Sequence, residues 1–106
     1  MNIIWSDFAS RILKDIFNYY KDVAGELVAQ KIKVQIFDST KQLITHPNSG
    51  QTEPSLIKME QGHRYLVRGN YKIVYRKVDE GILITDIFDT RQDPIKINNP
   101  KRKHED

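Results

Sequence analysis

The chain has 106 residues, no cysteine and a formal net charge of +3, and 39% of its residues are hydrophobic. This length predicts a single domain that buries about two-thirds of its unfolded surface, and the lack of cysteine excludes disulfides and thiolate metal sites. Because no apolar run approaches the roughly 18 residues of a membrane span and the amino terminus lacks the features of a signal peptide, we expect a cytoplasmic protein.

The amino-terminal half predicts a short strand followed by two helices. Residues 2–5 are mostly apolar and precede Ser6, a residue type that commonly caps helix starts. Apolar residues then recur at the helical period within residues 8–22, which predicts a first helix. A second periodic run covers residues 24–44 and ends before Pro47. Because the two runs are so close in sequence, we expect an antiparallel helical hairpin.

Residues 63–91 predict an antiparallel β-meander. Valine, isoleucine and tyrosine are concentrated in three segments, whereas glycine, asparagine and aspartate lie in the two short connections between them. We place the three strands at residues 63–68, 71–78 and 82–88. Neither face of this sheet is purely apolar, so the alternation of side chains does not decide which face the helices cover. The length of the second turn also leaves open which face Asp86 and Phe88 occupy.

Together these elements predict an α+β domain with the order β-α-α-β-β-β. An N-terminal short strand and a two-helix antiparallel hairpin pack on a C-terminal antiparallel three-stranded meander. Residues 47–55 are rich in turn formers and connect the two parts as a loop. We place the domain at residues 1–98 and interpret residues 99–106 as a charged, disordered tail.

The positive charge is concentrated on the predicted sheet. Residues 1–57 contain six basic and six acidic residues, whereas residues 58–77 contain six basic residues and one acid. A sheet with so much like charge indicates an anionic or acidic partner, such as RNA, DNA or an acidic protein segment. No cofactor or metal is expected, because the histidines are not spaced as metal ligands and the glycines form no phosphate-binding loop.

The chain resembles the RelE/ParE superfamily of bacterial type II toxins over residues 2–97. The likeness lies in the N-terminal segment IIWSDFASRILKDIFNYY, the loop THPNSGQTEPSL and the segment GHRYLVRGNYKIVYRKVDEGILITDIFDTRQDP. The resemblance implies a growth-inhibiting toxin with a cognate antitoxin, through which alone it would contact operator DNA, and no membrane partner. Members similar to ParE inhibit DNA gyrase, and members similar to RelE cleave mRNA on the ribosome.

The resemblance also implies which residues a nuclease of this superfamily would use. Arg64 and Lys72 match basic strand positions of the RelE-like members, and Arg91 matches the arginine that ends their last strand. Glu53 matches the loop glutamate that acts as a base in YoeB-like members. In such an enzyme the three cations would stabilise the phosphorane charge, and Glu53 or Lys72 would transfer a proton.

The residues after Arg91 favour a ParE-like gyrase inhibitor over this nuclease. The nucleases place an aromatic residue or a histidine at or beyond the last strand, whereas this sequence continues with QDPIKI. In the gyrase interpretation the basic residues bind a protein partner and are covered by the antitoxin. A third interpretation is a non-toxic binding module derived from the family. The candidate partner-binding residues are Arg64, Arg68, Lys72, Arg76 and Arg91.

Each candidate also has a purely structural interpretation. Glu53 is compatible with an ion pair to a basic strand residue, and Arg91 with a pair to Asp89 or Asp93. Arg64 and Arg68 are compatible with a role in preventing aggregation of the meander. The sequence leaves these alternatives open.

Overall fold

The computed structural model describes residues 1–99 and 101–102, and it places two helices on one face of a five-stranded sheet. The strands are β1 (Asn2–Trp5), β2 (Gln51–Thr52), β3 (Arg64–Arg68), β4 (Tyr71–Val78) and β5 (Gly81–Asp89). The helices are α1 (Asp7–Ala24) and α2 (Glu26–Ser39), and 3₁₀ helices lie at Thr40–Ile44, Pro54–Met59 and Pro94–Asn98. The predicted α+β class, with two helices before a β-meander, is confirmed.

Local signals set the limits of the first helix and the turn into the second. The Ser6 hydroxyl accepts the Ala9 backbone N–H at 3.0 Å and caps the start of α1. Gly25 ends α1, and its N–H donates to the Lys21 carbonyl at 3.2 Å. Because Gly25 has a φ of 93°, a conformation that side chains disfavour, glycine permits the direct reversal into α2. The predicted helical hairpin follows from this single residue.

The second helix is shorter than its apolar periodicity predicts. The α-helix ends at Ser39, and the chain continues as a 3₁₀ helix from Thr40 to Ile44. The Ser39 hydroxyl donates to the Ile36 carbonyl at 2.6 Å and the Thr40 hydroxyl to the Phe37 carbonyl at 2.7 Å. Such side-chain bonds compete with the helical backbone bonds and favour a helix end. The periodic run nevertheless continues into the core, because Leu43 is buried there.

The sheet has the strand order β1-β5-β4-β3-β2. The predicted meander forms its centre, with antiparallel pairing of β3 with β4 and of β4 with β5. The short strand β2 lies in the predicted loop and pairs with β3. The first strand, β1, pairs in parallel with the first half of β5, from Gly81 to Ile84. From Thr85 to Asp89, β5 therefore continues beyond the last residue of its outer neighbour.

A β-bulge in β5 decides which side chains face the helices. Val78 pairs with Gly81, so the second turn has two residues. Further along, Tyr75 pairs with Ile84 whereas Val74 pairs with Asp86, and Thr85 is the extra residue between them. Beyond this residue the alternation is reversed. Asp86 and the residue two positions later, Phe88, consequently lie on the sheet face that is opposite the helices.

Both faces of the sheet bury apolar side chains. The helices cover a core of Ala9, Leu13, Ile36, Leu43, Tyr71, Ile73, Tyr75, Ile82, Ile84 and Ile87. A second cluster, on the opposite face, contains Leu56, Val74, Phe88 and Ile97. Its cover comes from the 3₁₀ helices at Pro54–Met59 and Pro94–Asn98, which contact each other. The sequence did not decide which face of the sheet the helices cover. In the structure they cover the face that carries Tyr71, Ile73 and Tyr75.

Candidate functional site

The structure does not bring the candidate cations Arg64, Lys72 and Arg91 into one site. Arg64 pairs across the strands with Tyr75, and its side chain therefore lies on the sheet face that the helices cover. Lys72 alternates with Tyr71 and Ile73 along β4, so it lies on the opposite face. Arg91 follows the end of β5. The three cations therefore do not converge on a common reacting atom.

Arg64 anchors the loop of residues 47–55 to the sheet. Its guanidinium Nη1 donates to the Gly50 carbonyl at 2.9 Å, and the side chain is half-buried. The hydroxyl of the neighbouring Tyr75 accepts the Gly50 N–H at 2.9 Å and donates to the Pro47 carbonyl at 3.0 Å. Burial raises the pKa of Tyr75 above its ordinary value, which keeps this hydroxyl a donor. Arg64 and Tyr75 thus hold the loop together.

Glu53 and Lys72 form an ion pair on the opposite face. The Glu53 carboxylate is only 1% exposed, and its Oε2 lies 3.0 Å from the Lys72 Nζ. Its Oε1 accepts the Ser55 backbone N–H at 3.2 Å, which caps the 3₁₀ helix that follows. The Lys72 ammonium also lies 4.3 Å from the centre of the Tyr65 ring. The candidate base is therefore engaged in internal contacts that attach Pro54–Met59 to the sheet.

Arg91 forms a bidentate ion pair with Asp89. Its Nε and Nη2 lie 3.0 and 2.7 Å from the two carboxylate oxygens, and its side chain remains 58% exposed. Hydrogen bonds from Arg91 lower the pKa of Asp89. Burial, together with the neighbouring Tyr20 hydroxyl, raises the pKa of Tyr71, and Tyr20 also lies close to Arg91. These four side chains form one polar network at the end of the sheet.

The other two candidate partner-binding residues lie on different faces. Arg68 is exposed at the end of β3 and pairs across the strands with Tyr71, so it lies on the face that the helices cover. There it borders a hollow of about 170 Å³ next to Tyr20. Arg76 alternates with Tyr75 along β4, lies on the opposite face and is half-buried. Of the five candidates, Arg68 and Arg91 are the exposed ones.

An ion pair between Asp86 and Arg102 was not predicted from the sequence. Asp86 is fully buried, and its carboxylate is bound by both the Nε and the Nη2 of Arg102, the former at 2.7 Å. The guanidinium also lies 5.2 and 5.1 Å from the ring centres of Phe8 and Phe88. The only sequence signal was an aspartate within the most apolar strand, a position that requires a cation. The division into a domain at residues 1–98 and a tail at residues 99–106 stays a prediction. Within the described residues, Arg102 contacts side chains of that domain.

Two adjacent hollows follow the exposed side of α1. One, of about 470 Å³, lies between α1 and the end of β5 and is lined by Ile12, Ile16 and Ile87 together with Arg91. The second, of about 460 Å³, is lined by basic residues of α1 and by Lys101, and the two share Ile12. The two hollows therefore adjoin each other at Ile12. We refer to both together as the α1 channel.

Within residues 1–99 and 101–102, no group of three or more histidine, aspartate or glutamate side chains is placed to hold a metal ion. Among the helices of the same residues, none is long and apolar enough to cross a membrane. Arg64, Lys72 and Arg91 each bind a group of the protein itself. Their roles in catalysis or partner binding stay predictions.

Comparisons with known proteins relate the whole fold to one family. A family model described as the ParE toxin of the type II toxin-antitoxin system parDE matches residues 3–94. Among solved structures, the chain is similar to one described as the chromosomal ParDE TA system from P. aeruginosa, with 26% sequence identity and a TM-score of 0.70. That match covers 84% of this chain and 95% of the other. A search of curated protein sequences finds no match.

Proposed function

Because the chain belongs to the ParE toxin family of type II toxin-antitoxin systems, we propose that it arrests growth by inhibiting DNA gyrase and that a cognate antitoxin neutralises it. Its membership of the RelE/ParE superfamily, expected from the sequence, is confirmed. The family does not by itself distinguish gyrase from ribosome-bound mRNA as the target. The choice between the two depends on the chemistry that the residues support.

The observation that carries the gyrase proposal is the separation of the candidate catalytic residues. Cleavage of RNA by 2′-OH attack requires a base, an acid and cations around one phosphate. Arg64 and Lys72 lie on opposite faces of the sheet, and Glu53 is buried in an ion pair. An inhibitor that acts by binding needs no such convergence. It needs exposed groups that contact another protein.

Arg68 and Arg91 supply such groups, and we place the gyrase contact at this end of the sheet. Both are exposed, and both lie next to Tyr71, one by strand pairing and one in the polar network with Tyr20. Arginine and tyrosine are enriched where interfaces carry most of their binding energy. We expect the charge reversal Arg68→Glu to reduce gyrase inhibition by about tenfold or more. Lys31→Glu, on the exposed outer side of α2, serves as the matched control.

Two assays on the purified chain test the proposal. In the first, DNA gyrase supercoils relaxed plasmid in the presence of increasing amounts of the toxin. In the second, programmed ribosomes carry an mRNA whose cleavage is followed by primer extension. Inhibition of supercoiling with intact mRNA is the expected result. Cleavage of the mRNA that Lys72→Ala or Arg91→Ala abolishes, with unaffected supercoiling, would overturn the gyrase proposal.

Neutralisation is tested separately in growing cells. The toxin is expressed alone and together with the product of the reading frame adjacent to its gene. We expect growth arrest in the first case and growth in the second. A chain that arrests growth but is not bound or neutralised by that product would contradict the antitoxin part of the proposal.

A further inference from the structure

The outer face of α2 exposes apolar side chains. Leu27 is 88% exposed, and Val34 and Phe37 are 42% and 47% exposed. The inner face of the same helix is already buried in the core through Ala29 and Ile36. A helix that is apolar on both faces is normally covered on both. The outer face of α2 therefore has the character of an interface.

The spacing of these side chains is that of a seam between two helices. Leu27 and Val34 are seven residues apart, and Phe37 follows three residues after Val34. Positions of this spacing form the a and d seam along which two helices pack. Lys31 and Asp38 are also seven apart and, at 3.6 residues per turn, lie beside this seam. The pattern favours a second helix as the occupant.

A hollow at the carboxyl-terminal end of α2 matches the Leu27 side chain. It has a volume of about 320 Å³, and β1 forms its other wall. The wall on the side of α2 consists of Phe37, Thr40, Lys41 and Ile44. Their spacing is that of the four residues that form the hole for an inserted side chain when two helices pack. The hollow shares no lining residue with the α1 channel.

Leu27 cannot fill the hollow of its own chain. Phe37, the nearest of the four wall residues in sequence, follows Leu27 by ten residues, which is about 15 Å along the helix axis. A second copy of the chain brings its own Leu27 to this place if its α2 runs antiparallel to the first. The same contact then forms twice, once at each end of the pair.

The charges agree with this antiparallel register. Lys31 and Asp38 are equally far from the point between Val34 and Gln35. A twofold axis through that point places Lys31 of each copy opposite Asp38 of the other, and it places Leu27 opposite the hollow. Opposite charges beside a helical seam set the orientation and the choice of partner. The apolar spacing, the hollow and the charges thus give one arrangement.

From these observations we propose that the chain pairs with a second copy of itself through the outer face of α2, as an antiparallel dimer with twofold symmetry. Such an interface uses the same patch on both copies, so the patch must be self-complementary. One helix supplies the inserted side chain, the hollow and both charges. The pairing requires neither gyrase nor an antitoxin, and neither Arg68 nor Arg91 belongs to the seam.

Sedimentation equilibrium of the purified chain tests the pairing. Because one helix buries less area than a standard interface, we expect a dissociation constant on the order of 10 µM. Leu27→Asp should weaken the pairing by about tenfold or more, whereas Ile57→Asp, at a side chain that is 58% exposed elsewhere, should change it by less than about threefold. An unchanged urea midpoint shows that each variant is folded. A wild-type chain that stays monomeric up to about 500 µM would overturn the inference.

A pair of charge variants tests the register. Lys31→Asp makes both charged positions of the seam acidic, and Asp38→Lys makes both basic. Each variant alone places like charges opposite each other, whereas a mixed pair of the two variants restores opposite charges at both contacts. At low salt we expect each variant alone to pair at least about fivefold more weakly than the wild type, and the equimolar mixture to form the mixed dimer at about wild-type strength. A mixture that associates no better than the separate variants would contradict the register.

A different occupant of the same face would give a different result. The product of the reading frame adjacent to the gene is added to wild-type toxin and to Leu27→Asp. Weaker binding of that product by the variant, with a wild-type chain that is monomeric on its own, would assign the face to the antitoxin and overturn the pairing. Because sedimentation uses the toxin alone, its result is independent of whether the chain inhibits gyrase.

Discussion

Removal of the Lys72 ammonium is the most informative perturbation of the predicted site. Lys72→Met keeps the aliphatic length of the side chain but leaves the carboxylate of Glu53 without its cation. The Glu53 side chain is only 1% exposed. In the variant its carboxylate would still accept the hydrogen bond from the Ser55 backbone N–H, which lies at 3.2 Å. The variant therefore tests whether the ion pair stabilises the fold or takes part in catalysis.

The expected loss of stability follows from the burial of the two partners. Breaking a buried ion pair on one side costs about 3–5 kcal/mol, because a charge remains in a low-dielectric environment. The Lys72 side chain is 23% exposed, so water reaches the vacated position, and we expect about 3 kcal/mol for Lys72→Met. Glu53→Gln keeps an acceptor for Ser55 and leaves an ammonium that extends to water, so it costs about 1 kcal/mol. The double variant should lose less than Lys72→Met alone.

Urea denaturation followed by circular dichroism measures these differences as shifts of the midpoint at constant slope. The coupling energy from the four proteins should be about 2 kcal/mol in favour of the pair. Strictly additive effects would refute the interpretation of an energetically coupled pair. Growth arrest supplies the functional result, since a structural pair predicts that the double variant remains toxic, whereas proton transfer by Glu53 or Lys72 predicts complete loss.

Three further predictions concern other contacts of the fold. Arg102→Gln removes the guanidinium that binds the buried Asp86 and should lower the free energy of unfolding by about 3 kcal/mol. Adding Asp86→Asn to this variant should recover part of the loss. Urea denaturation measures both effects. The raised pKa of Tyr71 means that its contribution to stability is complete below the ordinary tyrosine pKa of about 10 and is lost as the pH rises through the folded-state value. Tyr71→Phe should therefore weaken the alkaline loss of stability, and an unchanged pH profile would contradict this. Gly81→Ala places a Cβ against the β1 backbone at Asn2 and should destabilise the fold by more than about 2 kcal/mol. Gly62→Ala is the control, because its Cβ meets open space and should cost only about 1 kcal/mol through the positive φ. Thermal midpoints measure both effects.

Local chemistry made most of the fold predictable from the sequence. The N-cap at Ser6, the reversal at Gly25 and the two-residue turn at Gly69-Asn70 each act within a few residues of the chain. The parallel pairing of β1 with β5 is different, because it joins residues about eighty positions apart and depends on the whole domain. The short strand β2 was also missed, since two residues paired to β3 leave no periodic pattern.

The candidate residues could be named from the sequence, but their arrangement could not. With a two-residue turn between β3 and β4, alternation places Arg64 and Lys72 on opposite faces of the sheet. No pattern indicated that the partner of Lys72 would be Glu53 and that this acid would be buried. The Asp86 and Arg102 pair was missed because the tail was interpreted from its composition alone. Long-range ion pairs depend on tertiary packing, and a single sequence does not encode them locally.

The bulge at Thr85 determines both the internal ion pair of Asp86 and the packing of Ile87. Continuation of the alternation from Ile84 without an extra residue would turn Asp86 toward the helices, into the apolar core, where a carboxylate has no cation. The extra residue turns Asp86 away, to the side that Arg102 reaches, and turns Ile87 toward the helices instead. The same residue lies where the pairing with β1 has just ended. One inserted residue thus creates both the buried pair that holds the C-terminal segment and the packing of Ile87 in the core that the helices cover.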